Sequence, residues 1–394
     1  MSQIPEQEPD HVFEDRSGIR GKVVVVLLAV LAFATVIWLW DLGRRLLIDV
    51  ALPPVAPASE STARPQDAFV TLQSNAAEPC KRAPLAGAGR QRQVLGYLPA
   101  ADSTAWTGLR SRCDQLDRVL ADAFLLGAPD GTVVPLWARR NMALQELANE
   151  IGLPGGSALP VARITATTRT DELAALLSPG PALDKLVSQL AALLLEQPRP
   201  ELCLDLGAHP DLDPAVLREA FSRLARATTR PGHAPPTLCL IAGPEAGFWR
   251  DAVLVSRLDL AVVKAFRETA SPLVAPAPPD WADPALSDIR ALIPAQKLVV
   301  ALGSFGQAWQ SGKGRSLRIS YGEALARAHR AGLAPWFDPV SGATLLHFIG
   351  TDRQTNDIWL LDAASSHNQL ATLPPDQSIA IWPLGYEDPA VWSL

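Results

Sequence analysis

Among the side chains able to do chemistry, the histidines can be set aside first. The six of them show no HxxxH or HExxH spacing, so a helical zinc-protease site or a zinc deacetylase is not supported. Cys80, Cys113, Cys203 and Cys239 share no CxxC spacing, which removes zinc ribbons and thioredoxin-type redox motifs. Cys203 and Cys239 sit inside apolar runs and read as buried small apolar residues. Cys80 and Cys113 could pair in an oxidising compartment. The run His209-Pro210-Asp211-Leu212-Asp213 joins a histidine to a DxD pattern, as a metal site or glycosyltransferase would. No QxxRW-like motif follows, however, and Asp213-Pro214 reads as a helix N-cap with proline at the first helical position. From Gly306 to Lys313 the glycines stand one residue too far apart for a phosphate loop, and Gly314 occupies the Ser/Thr position. That segment is a turn. The sequence points to no metal and no cofactor.

What positions any remaining chemistry is a regular succession of elements after residue 91. Strand-like apolar runs cover Gln93–Leu98, Val119–Leu126, Pro160–Thr165, Leu202–Leu206, Thr237–Ala242, Leu260–Phe266, Lys297–Gly303 and Ser378–Leu384. Helical patterns lie between them at Thr104–Leu116, Met142–Ile151, Pro181–Glu196, Pro214–Ala227, Pro284–Ile293 and Tyr321–Ala331. Eight buried strands, mostly separated by helices, predict an α/β fold of the (β/α)8 TIM barrel type. A doubly wound open sheet would carry a Gly-rich turn after its first strand, and none is present. Strand-like stretches at Thr344–Ile349 and Asp357–Leu361 read as an insertion before the last strand. In such barrels the reacting groups gather at the C-terminal ends of the strands.

The chain has 394 residues, 48% of them hydrophobic, with a net charge of -6. A nucleic-acid binder would carry a basic face, so no nucleic-acid partner is expected. Val23 to Trp40 contains neither a charge nor a proline, and a helix of that length rises about 27 Å, close to the thickness of a hydrocarbon core. Trp38 and Trp40 stand at its end, where indoles favour the membrane interface. No A-x-A-like cleavage site follows closely, so residues 23–40 read as a retained single-pass anchor. The expected order is a cytoplasmic tail (1–22), a transmembrane helix (23–40), a Pro/Ala-rich linker (41–90) and the barrel (91–394). The positive-inside count is nearly tied. Because long C-terminal domains translocate largely regardless of charge, the reading is a bacterial inner-membrane protein with a cytoplasmic N-terminus and a periplasmic barrel.

Five segments then carry a resemblance. Gln93–Leu98, Cys203–Gly207, Val262–Phe266, Lys297–Trp309 and Ile379–Pro389 are similar, in order, to the strand-end motifs of glycoside hydrolase family 18. Within that family they resemble the chitinase-like domains found with polysaccharide deacetylase and family 2 glycosyltransferase modules in bacterial membrane proteins. Ile381-Trp382-Pro383-Leu384-Gly385-Tyr386-Glu387-Asp388-Pro389, Ser320–Ala331 and Trp336–Val340 carry the subgroup likeness. The family's DxxDxDxE run supplies a glutamate as general acid and, two residues earlier, an aspartate that orients the substrate acetamide, which itself acts as nucleophile. The matching stretch here is Pro200-Glu201-Leu202-Cys203-Leu204-Asp205-Leu206-Gly207. Only Asp205 survives of the four acids, and Gly207 stands at the proton donor. Phe266 stands where the family places a tyrosine hydroxyl.

General acid catalysis contributes typically ~10²–10⁴-fold, so the resemblance implies a degenerate hydrolase with no catalytic residue of its own. What it leaves is a glycan-binding cleft: Tyr97, Asp205, Phe266, Trp309, Trp336 and Trp382 at or near strand ends, their rings offering apolar faces to sugars. Glu387 and Asp388 read as caps of the following turn. The implied partners are a polysaccharide, containing N-acetylhexosamine or glucose, and a membrane glycosyltransferase or polysaccharide synthase, with a role in exopolysaccharide synthesis or export. Two other readings stay open: a glycosidase or transglycosidase with a relocated acid, such as Glu245 or Glu268, and a scaffold that binds no glycan.

Overall fold

Short runs of Leu, Val, Ile and Ala, buried on both faces, become eight parallel strands. The computed structural model describes Thr35 and residues 92–394 apart from 101, 128, 137–157, 166–167, 197–199, 208, 232–234, 268–270, 311–315 and 351–352. The expected tail, anchor and linker, and the helix expected over Met142–Ile151, therefore lie outside the described residues, Thr35 excepted. Among the described residues no helix is long and apolar enough to cross a membrane.

The strands in chain order are β1 (Val94–Leu98), β2 (Arg118–Gly127), β3 (Thr132–Pro135), β4 (Ala158–Ile164), β5 (Glu201–Asp205), β6 (Thr237–Ala242), β7 (Leu260–Lys264) and β8 (Leu298–Gly303). Five more form the insertion: β9 (Gly306–Gln310), β10 (Leu317–Ile319), β11 (Trp336–Asp338), β12 (Ala343–Ile349) and β13 (Thr355–Leu360). β14 (Ser378–Trp382) completes the barrel, whose order is β1-β14-β8-β7-β6-β5-β4-β2, closed by β1 pairing with β2. β3 adds antiparallel to β2. All eight expected barrel strands are present, with ends shifted by at most two residues.

Alternation along each strand divides the core in two. Leu202 and Leu204 of β5, with Leu238 and Leu240 of β6, pack outward among helix residues such as Leu186, Leu217 and Phe221. Cys203, Cys239, Val161, Val262, Val299 and Ala380 point into the barrel. Each buried Val or Leu among these contributes about 1.5–3 kcal/mol by leaving water. The inward pair Cys203 and Cys239 lie directly opposite in the β5–β6 register and form a disulfide, which corrects the expectation of two free apolar thiols. Neighbouring parallel strands at equal depth, with Cα atoms 4.2 Å apart, bring the sulfurs together. Cys113 is also disulfide-bonded, while Cys80 lies outside the described residues.

The helices are α1 (Ser103–Arg112), α2 (Thr170–Leu177), α3 (Pro181–Leu195), α4 (Pro214–Thr228), α5 (Ala252–Arg257), α6 (Pro279–Leu292), α7 (Tyr321–Arg330) and α8 (Ala363–Ala371). α4 shows why its segment is helical. Asp213 caps it by accepting from the Ala215 N–H at 2.8 Å, Pro214 opens it, and Leu217, Ala220, Phe221 and Leu224 form the buried stripe. The expected metal-like run thus supplies a cap, and His209 Nδ1 lies 3.0 Å from the Thr170 hydroxyl.

The insertion is a five-stranded antiparallel sheet of order β10-β9-β13-β12-β11. Its small and aliphatic face, with Ala308, Ile319, Leu346, Ile358 and Leu360, packs with Ala324 and Ala328 of α7. The opposite face carries different chemistry.

Candidate functional site

The uppermost inward positions of the barrel strands hold polar side chains where the lower layers hold Val, Leu and Ala. Asp122 comes from β2, Arg163 from β4, Asp205 from β5 and Lys264 from β7, so charge alternates around half of the mouth. Arg163 and Asp205 are direct register partners on neighbouring strands. Two ion pairs result. Arg163 Nε donates to both Asp122 oxygens, at 3.0 and 2.8 Å. Lys264 Nζ donates to both Asp205 oxygens at 2.9 Å. Burial raises the Asp122 carboxyl above the usual carboxylate range, with Arg163 pulling the other way.

The other half of the mouth is aromatic. Tyr97 at the end of β1 stacks on Trp382 at the end of β14, with ring centroids 3.8 Å apart and planes parallel within 1°. Lys264 Nζ lies 5.0 Å from the Trp382 ring centre, joining the charged half to the aromatic half. Phe266 meets Phe305 edge-on at 5.4 Å and lies 6.3 Å from Trp382. Burial, reinforced by Asp122 and Asp205, keeps the Tyr97 hydroxyl protonated far above the ordinary tyrosine range. A cis peptide bond joins Trp382 to Pro383.

The loop after β14 is pinned to α1. Gly385 has φ +79°, and a Cβ there would stand 2.2 Å from the Thr104 carbonyl oxygen, so only glycine permits this approach. Next to it the Tyr386 hydroxyl donates to Asp102 at 2.5 Å, and burial with that bond pushes its pKa up to about 12. As expected, the following turn is capped by Asp388, which accepts from the Ala390 N–H. Glu387 instead accepts from the Trp392 indole.

The second face of the inserted sheet extends the aromatic half. Register partners lie on one face, and the pairing aligns Arg318, Gln307, Trp359, Leu345 and Trp336 in a single row across β10, β9, β13, β12 and β11. Trp359 and Trp309 pack in the same cluster as Tyr97, Phe266 and Trp382. Trp336, at the edge strand, is 54% exposed.

Of the expected site residues, Tyr97, Asp205, Phe266, Trp309 and Trp382 converge at the mouth, all largely buried. Trp336 stands apart from that cluster, at the outer end of the sheet row. Asp205 is no free acceptor. Besides Lys264, its Oδ1 takes the Gly207 N–H at 3.0 Å. Gly207 has φ +65°, a left-handed backbone that costs a side chain about 1–2 kcal/mol. Glu245 is exposed in the loop after β6, folded back over Gly243, and Glu268 lies outside the described residues. The sequence reading passed over Asp122, Arg163, Lys264, Arg318 and Trp359. The available signal was a lone charge inside or near the end of an apolar run, as in Leu120-Ala121-Asp122-Ala123-Phe124, Val161-Ala162-Arg163 and Val262-Val263-Lys264.

A closed parallel barrel with a five-stranded sheet inserted before its last strand and aromatic side chains at its strand ends defines a TIM-type α/β barrel. Solved structures place the fold more narrowly, with family 18 chitinases. A chitinase from Chromobacterium violaceum superposes with a TM-score of 0.62, at 17% identity over 77% of this chain and 97% of that one. A family GH18 chitinase from Cycas revoluta, solved as a complex with allosamidin, gives 0.58 at 16% identity, covering 76% and 97%. A chitinase-like agglutinin from Robinia pseudoacacia gives 0.57 at 14% identity, also over 76% and 97%. No family model matches the sequence, and no curated protein matches it. The expected (β/α)8 barrel and its family 18-like architecture are thus the observed fold.

Proposed function

We propose that this chain is a membrane-anchored, catalytically degenerate family 18-like barrel that binds a polysaccharide beside a membrane glycosyltransferase and assists exopolysaccharide synthesis or export. The observation that carries the loss of hydrolysis is the state of Asp205. Both its oxygens are held by Lys264, so it neither orients an acetamide nor shares a proton. The backbone at Gly207 has φ +65°, a left-handed conformation that disfavours a glutamate there. The exposed, folded-back position of Glu245 gives a relocated acid no support.

Binding is supported by what remains. The buried, stacked Tyr97–Trp382 pair forms the apolar floor of the mouth with Lys264 beside it, and the inserted sheet adds a wall that ends in the exposed Trp336. The buried indole N–H of Trp309 has no acceptor among the described residues, a donor left for a hydroxyl or water in the cleft. That an agglutinin shares the fold fits a barrel used for recognition. The anchor over residues 23–40 and the synthase partner rest on the sequence alone.

The test is calorimetric titration of the full-length protein with a panel of oligosaccharides, followed by product analysis of the same samples. Binding without new reducing ends is the expected result. Release of reducing ends overturns the degenerate assignment, and binding of no carbohydrate leaves the scaffold reading.

A further inference from the structure

We propose that the glycan read by this mouth is acidic, an oligosaccharide whose rings carry carboxylates. The inference rests on the reading of the mouth as a glycan cleft and names the class of sugar it accepts. Its basis is the direction in which the two ion pairs face. In each, the carboxylate is the inner member and the cation the outer one. The Asp122 side chain is 4% exposed against 37% for Arg163, and Asp205 is 9% exposed against 18% for Lys264. A ligand entering the mouth above the buried Tyr97–Trp382 pair therefore meets a guanidinium and an ammonium, with their counter-charges behind them.

The hydrogen bonds leave those cations partly unspent. Arg163 uses only its Nε on Asp122, so its two terminal nitrogens engage no described residue. Those nitrogens form the planar fork that takes a carboxylate through two parallel N–H···O bonds. Lys264 gives two of its three N–H donors to Asp205 and keeps one. A third cation, Arg318, sits 4.9 Å over the Phe305 ring and adds positive potential. An acidic polymer gains nothing from the chain as a whole, whose net charge is -6. Its attraction must come from this local set.

The deciding experiment compares acid and ester forms of the same sugar on the full-length protein. Short oligogalacturonates and oligomannuronates are titrated calorimetrically beside their methyl esters, which keep the shape and lose the charge. Chito-, cello- and sulfated oligosaccharides complete the set. The acids should bind about tenfold or more tightly than their esters, the range a charge-assisted pair supplies, and should weaken with added salt. The paired substitution Asp122→Asn with Arg163→Gln keeps the net charge and leaves no lone buried carboxylate, and it should collapse the acid-over-ester preference. Should that variant fail to fold, Arg163→Lys keeps the charge but loses the fork, and should narrow the preference severalfold. Esters binding as well as acids, or a preference for chito- or sulfated oligosaccharides, would overturn the acidic assignment while the glycan cleft stands. If none of these carbohydrates binds, the cleft reading falls and takes this one with it.

Discussion

The two halves of the barrel mouth have been treated in opposite ways. On the β2–β7 side, where a family 18 enzyme would keep its acids, Asp122, Arg163, Asp205 and Lys264 neutralise one another in a row of alternating charge. On the β1–β14 side the rings of Tyr97 and Trp382 remain stacked and are continued by Trp359 and the inserted sheet. Hydrolysis needs a carboxyl that can give up a proton and another free to hold the substrate. Recognition needs only a flat apolar surface with donors at its edge. Under the proposed function the charged half has lost the first capability, whereas the aromatic half keeps the second. On that proposal the reaction and the grip depend on different strands, so one can be lost without the other.

The largest expected effect comes from striking the aromatic half at its centre. Trp382→Ala removes a fully packed ring and its stacking partner's support, which should cost about 3–5 kcal/mol in denaturant unfolding. Glycan binding should vanish with it. Trp382→Phe, which restores a ring, should recover most of the stability, and recovery of binding in parallel would tie recognition to the stacked pair. Stability regained by Trp382→Phe without regained binding would break that link.

Next in size is the charged half. Lys264→Met leaves Asp205 buried without its cation, and breaking such a pair costs ~3–5 kcal/mol at full burial; the 18% exposure of Lys264 places this site at or below the lower end. Adding Asp205→Asn removes the stranded charge and should return most of the loss, because a well-packed neutral pair is often as stable as the buried ion pair. Thermal melts of the single and double variants decide it. Equal losses in both would mean that the pair is not the unit holding this side together.

Smaller again is Gly207→Glu, which puts the missing acid back by name. With φ at +65° the new side chain should strain the backbone by about 1–2 kcal/mol, and no reducing ends should appear, since Lys264 still occupies Asp205. Hydrolysis by this variant would show that the charged half had lost one residue rather than its arrangement. Trp336→Ala lies at the exposed end of the sheet row and should change stability by less than about 0.5 kcal/mol. Glycan affinity should fall by about two- to tenfold, the worth of one stacking contact. Unchanged affinity would end the wall at Trp359.

The fold was legible because parallel strands buried on both faces read as continuous apolar runs, and all eight barrel strands follow from that signal. The shorter helices α2, α5 and α8 were not, since at six to nine residues their stripes are too brief to show a period. The Cys203–Cys239 bond depends on the β5–β6 register, which no local pattern encodes. Asp205 could be picked out as the surviving acid, but that it was already spent could not. Its partner Lys264 lies 59 positions away on a strand two places along the barrel. Trp309 and Trp336 read alike in sequence. They differ because one lies on a central strand facing the mouth and the other on an edge.

The finest probe is acid titration of Asp122. Burial sets its folded pKa above the value it has in the unfolded chain, so the native state holds this proton more tightly. For this group the sign is opposite to that of a salt-bridged surface acid. Its contribution disfavours the native state at neutral pH, and stability is regained as pH falls through the raised folded pKa towards the unfolded one. The same proton cancels the charge behind Arg163 and leaves the guanidinium uncompensated. An acidic glycan whose own carboxylates stay ionised should therefore bind more tightly as the pH falls through the raised pKa of Asp122, and the Asp122→Asn variant should lose that dependence. A carboxyl carbon titration of Asp122 by NMR, run beside binding at each pH, should show both midpoints moving together. If affinity instead falls throughout on acidification, the charged half does not face the ligand, and the division between a spent side and a gripping side would have to be redrawn.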